Sequence, residues 1–315
     1  MPAADPLPLA VAIVGFDTRD VLEPCLESVA AERPDEIVVV ENGHGDGSAE
    51  LVRSRFGQAR LIVNADNRGY GAAANQAIAA CSAPAVLLLN SDTVLAPGAL
   101  VALGRYLAEH PAVAIAGPRL ANADASLQRS TFGFPSPADL LMGETGLHLL
   151  VSRLPLLRER FLRTWAHDEA RAVPWLRGAA LAIRRAPFHA VGGFDERYFM
   201  YWEEVDLCRR LADAGHEVHY TPATTVLHVR AVSTSRQPVA MRREWLTGFR
   251  RYLLAHESRA RTATVLAMLR AFAATRAARD AARLRLARDA AQRERLAAAH
   301  AAWRVLLDDP ALWKP

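Results

Sequence analysis

Apolar and polar positions alternate in blocks along the first 116 residues. Short apolar runs rich in β-branched residues are separated by segments in which apolar residues recur every three or four positions. The first pattern predicts strands buried on both faces, and the second predicts helices packed against them. This alternation predicts an α/β fold with a mostly parallel, Rossmann-like sheet and helices on both faces. The predicted strands are 9–16, 36–40, 60–63, 85–89 and 113–116, and the predicted helices are 19–31, 49–56, 69–80 and 97–110.

The second half of the chain is less regular. Residues 132–172 contain three prolines and are interpreted as a lid or acceptor-binding segment. Strand character returns at 174–183, 217–220 and 225–229, with a Gly- and aromatic-rich loop at 192–201 and a helix at 203–214. The pattern from 241 to 307 is helical and rich in Ala and Arg. We therefore expect one domain over 1–235 and a basic helical C-terminal region over 236–315.

Charge is unevenly distributed between these two regions. Residues 236–315 hold 17 Lys and Arg against 7 Asp and Glu, whereas residues 1–235 hold 21 against 27. A basic tail on an acidic body suits contact with an anionic membrane surface, a nucleic acid or an acidic lipid carrier. A solvated Arg-rich helical face is an equally good interpretation. The tail has few aromatic residues and no known nucleic-acid-binding motif, so we expect no nucleic-acid partner.

Cysteine usage and hydropathy bear on the cellular compartment. The chain has three cysteines, far apart and without a CxxC pair, which argues against a disulfide framework and a zinc site. The first nine residues lack the basic start of a signal peptide, and no run of about 18 apolar residues occurs. The expectation is a cytoplasmic protein without a spanning helix.

Polar residues follow several predicted strands, where ligands of open α/β sheets bind. Asp92 follows the fourth strand and could hold a divalent cation such as Mg²⁺. Glu41 and Asn42 follow the second strand, where a carboxylate can accept hydrogen bonds from a ribose or a base. Gly69 begins a helix whose N-terminus favours phosphate. Each of these segments, taken alone, is also explained as an ordinary turn.

Further acids begin the helix at 203–214. Glu203, Glu204 and Asp206 lie in its first turn, where the helix dipole favours a carboxylate. One of them could be a general base that accepts a proton from an attacking hydroxyl, and the alternative is a set of capping acids. His228 ends an apolar strand and is either a metal ligand or a core histidine.

The order of these motifs resembles that of family 2 glycosyltransferases of the GT-A fold. The chain is most similar to the bacterial rhamnosyltransferase-like branch, which builds cell-wall linkers and surface polysaccharides. Five motifs spread over residues 9–235 make this resemblance specific. They are 36–48 (EIVVVENGHGDGS), 64–78 (NADNRGYGAAANQAI), 86–97 (VLLLNSDTVLAP), 175–185 (WLRGAALAIRR) and 191–228 (VGGFDERYFMYWEEVDLCRRLADAGHEVHYTPATTVLH).

The resemblance implies a role for individual residues. Asp92 and His228 match the metal ligands for Mg²⁺ or Mn²⁺, and Asn90 replaces the first acid of the D-x-D motif that the family often shows. Glu204 matches the catalytic base, normally Asp in E-D-x-D, and Asp206 is expected to be structural. Glu41 stands where the family usually has the Asp of a V-D-N motif that contacts the nucleoside. The implied donor-binding residues are Phe16, Glu41, Asn42, Asn67, Arg68, Gly69, Asn75, Ser91 and Asp92, and the implied acceptor-binding residues are Trp175, Gly178, Trp202 and Glu203.

The resemblance also implies an activity. A hydroxyl activated by Glu204 would displace a nucleoside diphosphate with inversion, while the cation on Asp92 stabilises the leaving group. The resemblance favours dTDP-L-rhamnose as donor, ahead of UDP- and GDP-sugars, and a lipid-linked saccharide as acceptor. The basic tail would then contact the cytoplasmic face of the inner membrane, or a second copy of the chain in a homodimer.

Two other functions remain open. Sugar nucleotidyltransferases share a similar nucleotide-binding half, but the segment Gly15–Thr18 lacks their glycine cluster with a following Lys or Arg. A non-catalytic, glycosyltransferase-like protein that binds sugar nucleotides is compatible with the substitutions at Glu41 and Glu204. Donor binding without transfer would identify it.

Overall fold

The structure is a computed structural model that describes residues 5–43, 45–136, 165–229, 238–287 and 289–315. The described residues form two compact units. The first comprises those up to Phe134 and from 165 to 229, and the second comprises Pro135, Ser136 and those from Pro238 onward. The predicted domain boundary at 235–236 and the central part of the irregular segment 132–172 lie outside the described residues.

The described part of the first unit is built on a mixed sheet. Its strands lie in the order β3-β2-β1-β4-β11-β6-β12-β5, with β7 beside β6 and β9 beside β12, and β8 and β10 form a separate pair. The strands are β1 Leu9–Gly15, β2 Ile37–Glu41, β3 Arg60–Val63, β4 Ala85–Asn90, β5 Thr93–Leu95, β6 Val113–Ala121, β7 Leu127–Gln128, β8 Thr131–Phe132, β9 Arg171–Ala172, β10 Trp175–Leu176, β11 Ala180–Arg184 and β12 Glu217–His228.

Helices cover both faces of this sheet. Along β1, Val11 and Ile13 point to one face, and Ala10, Ala12 and Val14 point to the other, because successive side chains of a strand alternate. The first face packs on α1 and α4, and the second packs on α3 and α6. The helices are α1 Arg19–Ala31, α2 Ser48–Arg55, α3 Tyr70–Ala79, α4 Ala99–Glu109, α5 Arg185–Ala190 and α6 Glu203–Asp213.

The predicted α/β class is confirmed, and two strand predictions are wrong. β1 to β4 are parallel neighbours as expected, but β11 runs antiparallel between β4 and β6. The strand expected over 174–183 is broken into β10 and β11. The two strands expected at 217–220 and 225–229 are the single strand β12, which continues through a register irregularity between Thr221 and Thr225. Pro222 gave that segment the appearance of a turn, although a bulge tolerates proline.

The second unit is helical, as predicted for residues 241–307. It contains α7 Pro238–His256, α8 Arg259–Leu286, α9 Ala290–Leu307 and a 3₁₀ turn over Pro310–Trp313. Its core includes Leu246, Leu306 and Leu312, and the Arg242 guanidinium lies 4.1 Å from the centre of the Trp303 ring. None of the described helices combines enough length with enough apolar character to cross a bilayer.

Candidate active site

Three neighbouring strands end level with one another and bring polar residues to one edge of the sheet. Gly15 pairs with Glu41, and Val14 pairs with Asn90, so the loops after β1, β2 and β4 leave the sheet together. A Cβ added to Gly15 would lie 3.2 Å from Glu41 Oε2 and 3.7 Å from Ser91 Cβ. The parallel register therefore gathers Glu41, Ser91 and Asp92 at this edge of the sheet.

The Glu41 carboxyl is buried at this edge. The residue is 2% exposed, and among the described residues Oε2 has no hydrogen-bond partner. Burial, with a smaller contribution from the Asp46 carboxylate, raises the pKa of Glu41 to about 7. A buried acceptor without a partner costs free energy, so the site favours a ligand that donates a hydrogen bond there.

The Asn42 carboxamide ties the end of β2 to the loop before α3. Its Nδ2 donates to Asn67 Oδ1 (2.9 Å) and to Gly69 O (3.1 Å). Its Oδ1 accepts from Asn64 Nδ2 (2.9 Å) and from the Arg68 backbone N–H (3.1 Å). Because all of these bonds are internal, the structure gives Asn42 the means to position the loop rather than a free polar group for the donor.

The start of α3 is formed by close backbone packing. Gly69 has φ of +83°, and a Cβ there would lie 2.5 Å from the Phe199 carbonyl oxygen. The backbone N–H of Tyr70 donates to that same oxygen (2.9 Å). The Arg68 side chain is half-exposed, and its guanidinium lies 3.8 Å from Glu196 Oε2. Only a glycine fits at residue 69.

Two further predicted donor residues pack against loops. The Phe16 ring covers Gly43, where a Cβ would lie 2.7 Å from the ring. Asn75 Nδ2 donates to Phe194 O (2.9 Å) and Glu196 Oε1 (3.1 Å), and its Oδ1 accepts from Phe194 N (2.9 Å). The Asn75 carboxamide therefore holds the loop before α6.

Asp92 and His228 are brought together by strand pairing. His228 pairs with Thr93 across β12 and β5, and the Val229 N–H donates to the Asp92 carbonyl (2.9 Å). His228 Nε2 then lies 3.3 Å from Asp92 Oδ1, with both side chains largely buried. Two residues 136 positions apart in sequence, each a possible metal ligand, thus face each other.

This donor set fits a hard divalent cation. Adjacent ligands of an octahedral ion with bonds of about 2.1 Å stand about 3 Å apart, close to the separation found here. Mg²⁺ and Mn²⁺ sites of this type use few protein ligands, and phosphate oxygens and water complete the shell. Among the described residues, no three His, Cys, Asp or Glu side chains form a fuller cluster. The pair therefore suits a cation shared with a diphosphate.

Two acids begin α6 at the other side of the site. Glu203 is 5% exposed, and among the described residues neither its Oε2 nor Glu204 Oε2 has a hydrogen-bond partner. Burial raises the pKa of both carboxyls, and for Glu203 the adjacent Glu204 charge adds to the effect. For Glu204 the backbone hydrogen bonds and the Arg177 guanidinium act in the opposite direction. A carboxylate with raised proton affinity suits a general base.

Tyr70 and Glu204 both lie beside Gly178. The Tyr70 hydroxyl donates to the Gly178 carbonyl (2.9 Å), and a Cβ on Gly178 would lie 3.9 Å from Glu204 Oε1. Burial raises the pKa of Tyr70 well above its usual range, and the charges of Glu203, Glu204 and Asp92 raise it further. The three carboxylates therefore all lie within electrostatic range of one phenol group.

Asp206, only one helical turn from Glu203, is fully paired. Its Oδ2 accepts from Arg210 Nε (2.8 Å), and Arg210 also donates to the carbonyls of Val191 (2.6 Å) and Gly193 (2.8 Å). The Tyr198 hydroxyl approaches Asp206 Oδ1 at 3.4 Å. These contacts anchor the loop before α6.

The two predicted acceptor-side tryptophans lie in different settings. The Trp175 ring stacks on Phe132 at 4.5 Å, and its indole N–H donates to Gly133 O (2.8 Å). Trp202 precedes α6 with φ of +75°, a left-handed conformation rarely adopted by a bulky residue. Such backbone strain directly before Glu203 and Glu204 is a feature of functional sites.

Sequence reasoning missed three residues of the site. Tyr70 and Arg177 lie inside motifs that were quoted for other residues. The structure places Tyr70 in the site through its hydrogen bond to the Gly178 carbonyl, and Arg177 through its effect on the pKa of Glu204. Gln128 lies in the two-residue strand β7 and hydrogen-bonds His228, which no local pattern indicates.

Comparison with known proteins adds to this geometry. The family described as "Glycosyltransferase like family 2" matches residues 6–248. An N-acetylglucosaminyl-diphospho-decaprenol L-rhamnosyltransferase from Mycobacterium tuberculosis is 35% identical over 249 residues, which cover 74% of this chain and 79% of that protein. The rhamnosyltransferase WbbL of Escherichia coli is 46% identical over 56 residues, which cover 18% of this chain and 21% of that protein.

Two solved structures share the fold at low sequence identity. A mannosyltransferase from Pyrobaculum calidifontis, crystallised with GDP-Man and Mn²⁺, is 16% identical with a TM-score of 0.57, and the match covers 98% of this chain and 88% of that one. GalNAc-T7, crystallised with UDP, GalNAc and Mn²⁺, is 15% identical with a TM-score of 0.57. That match covers 79% of this chain and 48% of GalNAc-T7, so this chain spans about half its length.

Proposed function

The chain belongs to glycosyltransferase family 2 and has the GT-A fold, and we propose that it is a metal-dependent, inverting enzyme. It transfers a sugar, with L-rhamnose from dTDP-L-rhamnose as the leading donor, to a hydroxyl of a lipid-linked saccharide. The name of the mycobacterial relative, an L-rhamnosyltransferase for a diphospho-decaprenol carrier, supports both the sugar and the acceptor class.

One observation carries this proposal: a partly buried general-base candidate and a pair of cation ligands lie beside adjoining strands of the sheet. A Cβ on Gly178 would lie 3.9 Å from Glu204 Oε1, and the neighbouring Ala179 carbonyl accepts from the N–H of Asn90 (3.0 Å), two residues before Asp92. Displacement at a sugar carbon needs a proton acceptor for the nucleophile and charge stabilisation for the leaving diphosphate. The base belongs to α6, Asp92 lies in the turn before β5, and His228 ends β12.

Glu204 is the residue that accepts the acceptor's proton. Its pKa is raised by burial, so its carboxylate binds a proton more strongly than an exposed glutamate does. The backbone hydrogen bonds and the Arg177 charge act against burial and favour the ionised carboxylate. No covalent intermediate is needed, because the hydroxyl attacks the anomeric carbon directly and inverts its configuration.

The other residues bind and orient the donor. Asp92 Oδ1 and His228 Nε2 would hold Mg²⁺ or Mn²⁺, which when bound supplies charge stabilisation to the diphosphate. Glu41 Oε2 accepts a hydrogen bond from the nucleoside, and the start of α3 lies beside it. The closed hydrogen-bond set of Asn42 keeps these two loops in register.

The second unit supports the choice of acceptor. Its excess of Lys and Arg would attract the anionic surface of a membrane or the diphosphate of a lipid carrier, at roughly 1 kcal/mol for each residue near the surface. We therefore propose peripheral contact with a membrane through this unit.

The test is release of nucleoside diphosphate by purified protein. dTDP-, UDP- and GDP-sugars are supplied with Mn²⁺ or Mg²⁺, with and without a membrane lipid extract. We expect release from one donor only, dependent on the extract and abolished by EDTA. The anomeric configuration of the transferred sugar in the product should be inverted relative to that of the donor.

The variants Asp92→Asn and Glu204→Gln should both abolish release, while Ser130→Ala should not. Ser130 is buried, and among the described residues its hydroxyl has no hydrogen-bond partner. Donor binding without release under any condition would contradict the proposal and would identify a sugar-nucleotide-binding protein instead.

A further inference from the structure

Four side chains line up behind the His228 imidazole, on its Nδ1 side. They are Gln128, Asn122, Ser126 and Asp124, which we call the relay. Gln128 is 1% exposed, whereas Asp124 and Ser126 are exposed in the turn between β6 and β7. The relay thus runs from solvent to the candidate cation site.

The orientation of the Gln128 amide follows from its partners. Its Nε2 donates to Asn122 Oδ1 (2.9 Å) and to the His228 carbonyl (3.1 Å), both of which can only accept. The Gln128 oxygen must therefore face His228 Nδ1, at 2.6 Å. Because that oxygen can only accept, Nδ1 carries the proton.

The orientation of Asn122 is fixed in the same way. The Ser126 hydroxyl donates its one proton to Asp124 Oδ1 at 2.5 Å, so Ser126 Oγ accepts from Asn122 Nδ2 at 2.9 Å. The Asn122 oxygen is then left for Gln128. An ionised carboxylate has only acceptors, and hydrogen bonds from Ser126 lower the pKa of Asp124. Each link therefore has one permitted donor–acceptor direction.

We propose that Gln128 is a positioning residue that, with the rest of the relay, holds His228 in the Nδ1–H tautomer. The Nε2 lone pair is then presented on the Asp92 side, where a divalent cation would bind. This inference rests on the proposed function, because it assigns the partners of a ligand in that site. Partners of this kind typically change metal affinity by about 10- to 100-fold.

The first experiment measures Mn²⁺ affinity rather than turnover. Free Mn²⁺ is followed by electron paramagnetic resonance as protein is titrated with dTDP or UDP present. We expect Gln128→Leu to raise the Mn²⁺ Kd at least about tenfold. The matched control is Ser130→Ala, a buried change two residues away, which should stay within about twofold of wild type. An unchanged Kd in folded Gln128→Leu would overturn the inference.

A double-mutant cycle distinguishes action through His228 from general damage. In a His228→Ala background, Gln128→Leu should cause no further loss of Mn²⁺ affinity, because its target is gone. A further loss of similar size would show a merely structural role and overturn the inference. If Gln128→Leu does not fold, Ser126→Ala replaces it with a smaller expected loss of Mn²⁺ affinity, and no loss would count against the relay.

The tautomer itself is read without metal. The ¹⁵N spectrum of histidine-labelled protein, with His228 assigned through His228→Asn, should show a protonated Nδ1. An Nε2–H tautomer with an unprotonated Nδ1 would overturn the inference even if the enzyme is active. Failure of the wild type to bind Mn²⁺ with either nucleotide would overturn the proposed function as well.

Discussion

The two sides of the candidate site hold their polar groups in opposite ways. On the strand side, His228 has a defined partner for Nδ1 and faces Asp92, so each polar atom has a fixed direction. On the helix side, Glu203 is buried and Glu204 is partly buried, the Oε2 atom of each has no hydrogen-bond partner among the described residues, and the pKa of each is raised. The first side fixes geometry, and the second raises proton affinity.

The contrast follows from the elements that carry the residues. Strand pairing fixes the separation between the Asp92 and His228 side chains, which suits ligands of a cation with strict bond lengths. The first turn of a helix offers backbone N–H groups and a favourable dipole, so buried acids are tolerated there without side-chain partners. The paired strands therefore carry the cation ligands, and the start of the helix carries the proton-accepting acids.

The largest expected effects separate the two sides. Glu204→Gln should lower kcat by about 10³-fold while leaving the Mn²⁺ Kd unchanged, because it removes a base and no ligand. Asp92→Asn should abolish turnover and should also raise the Mn²⁺ Kd by more than the roughly 10- to 100-fold that is typical when a partner of a ligand is lost. Single-turnover kinetics and Mn²⁺ titration on both variants make the comparison.

A weaker Mn²⁺ affinity in Glu204→Gln would break this separation and place Glu204 among the cation ligands. Arg209→Met is a suitable control, since it lies on the same helix and its guanidinium pairs with Asp213 at 3.0 Å. The kcat and the Mn²⁺ Kd of Arg209→Met should both remain near wild type.

The sequence was sufficient for the parts of the fold that depend on local pattern. The buried runs of β1, β2 and β4 predict neighbouring parallel strands, and their level ends bring Glu41 and Asp92 to one edge. The antiparallel insertion of β11 was not predicted, because a buried strand has the same apolar pattern in either direction. β5 was missed because three residues are too few to show a period.

The residues of the site also divide into those that a local motif predicts and those that depend on a contact between distant segments. Asp92, Glu204 and His228 stand in motifs, whereas the support of His228 by Gln128 depends on a contact across 100 sequence positions. The sequence likewise did not predict that the Asn42 and Asn75 carboxamides form hydrogen bonds within the protein. A polar residue in a loop gives no sign of whether its partner is the ligand or the protein. The donor and acceptor roles of the remaining residues stay predictions.

A second, smaller effect contrasts acids within the first turns of α6. Asp206→Asn removes the charge that pairs with Arg210 and should lower the free energy of unfolding by about 3 kcal/mol. Glu203→Gln should instead raise the free energy of unfolding at pH 8. The folded pKa of Glu203 is raised, so the stability it contributes is present below its unfolded pKa and is lost as pH rises.

Urea unfolding at pH 5 and pH 8 measures both variants. Glu203→Gln should be more stable than wild type at pH 8 and closer to it at pH 5, whereas Asp206→Asn should be less stable at both. A Glu203→Gln variant that is destabilised equally at the two pH values would show that the ionised carboxylate has a stabilising partner.

The smallest effect concerns the Arg177 guanidinium, which counteracts the effect of burial on the pKa of Glu204. The Arg177 guanidinium lowers the pKa of Glu204 against the larger effect of burial, so Arg177→Met should raise that pKa further. Since the ionised form accepts the proton, the acid limb of the kcat/KM profile should move to higher pH, with activity near wild type on the alkaline side. Arg209→Met should leave the limb in place. If Arg177→Met instead lowers activity equally at every pH, Arg177 binds a substrate, and the proton affinity of Glu204 is set by burial and its backbone contacts alone.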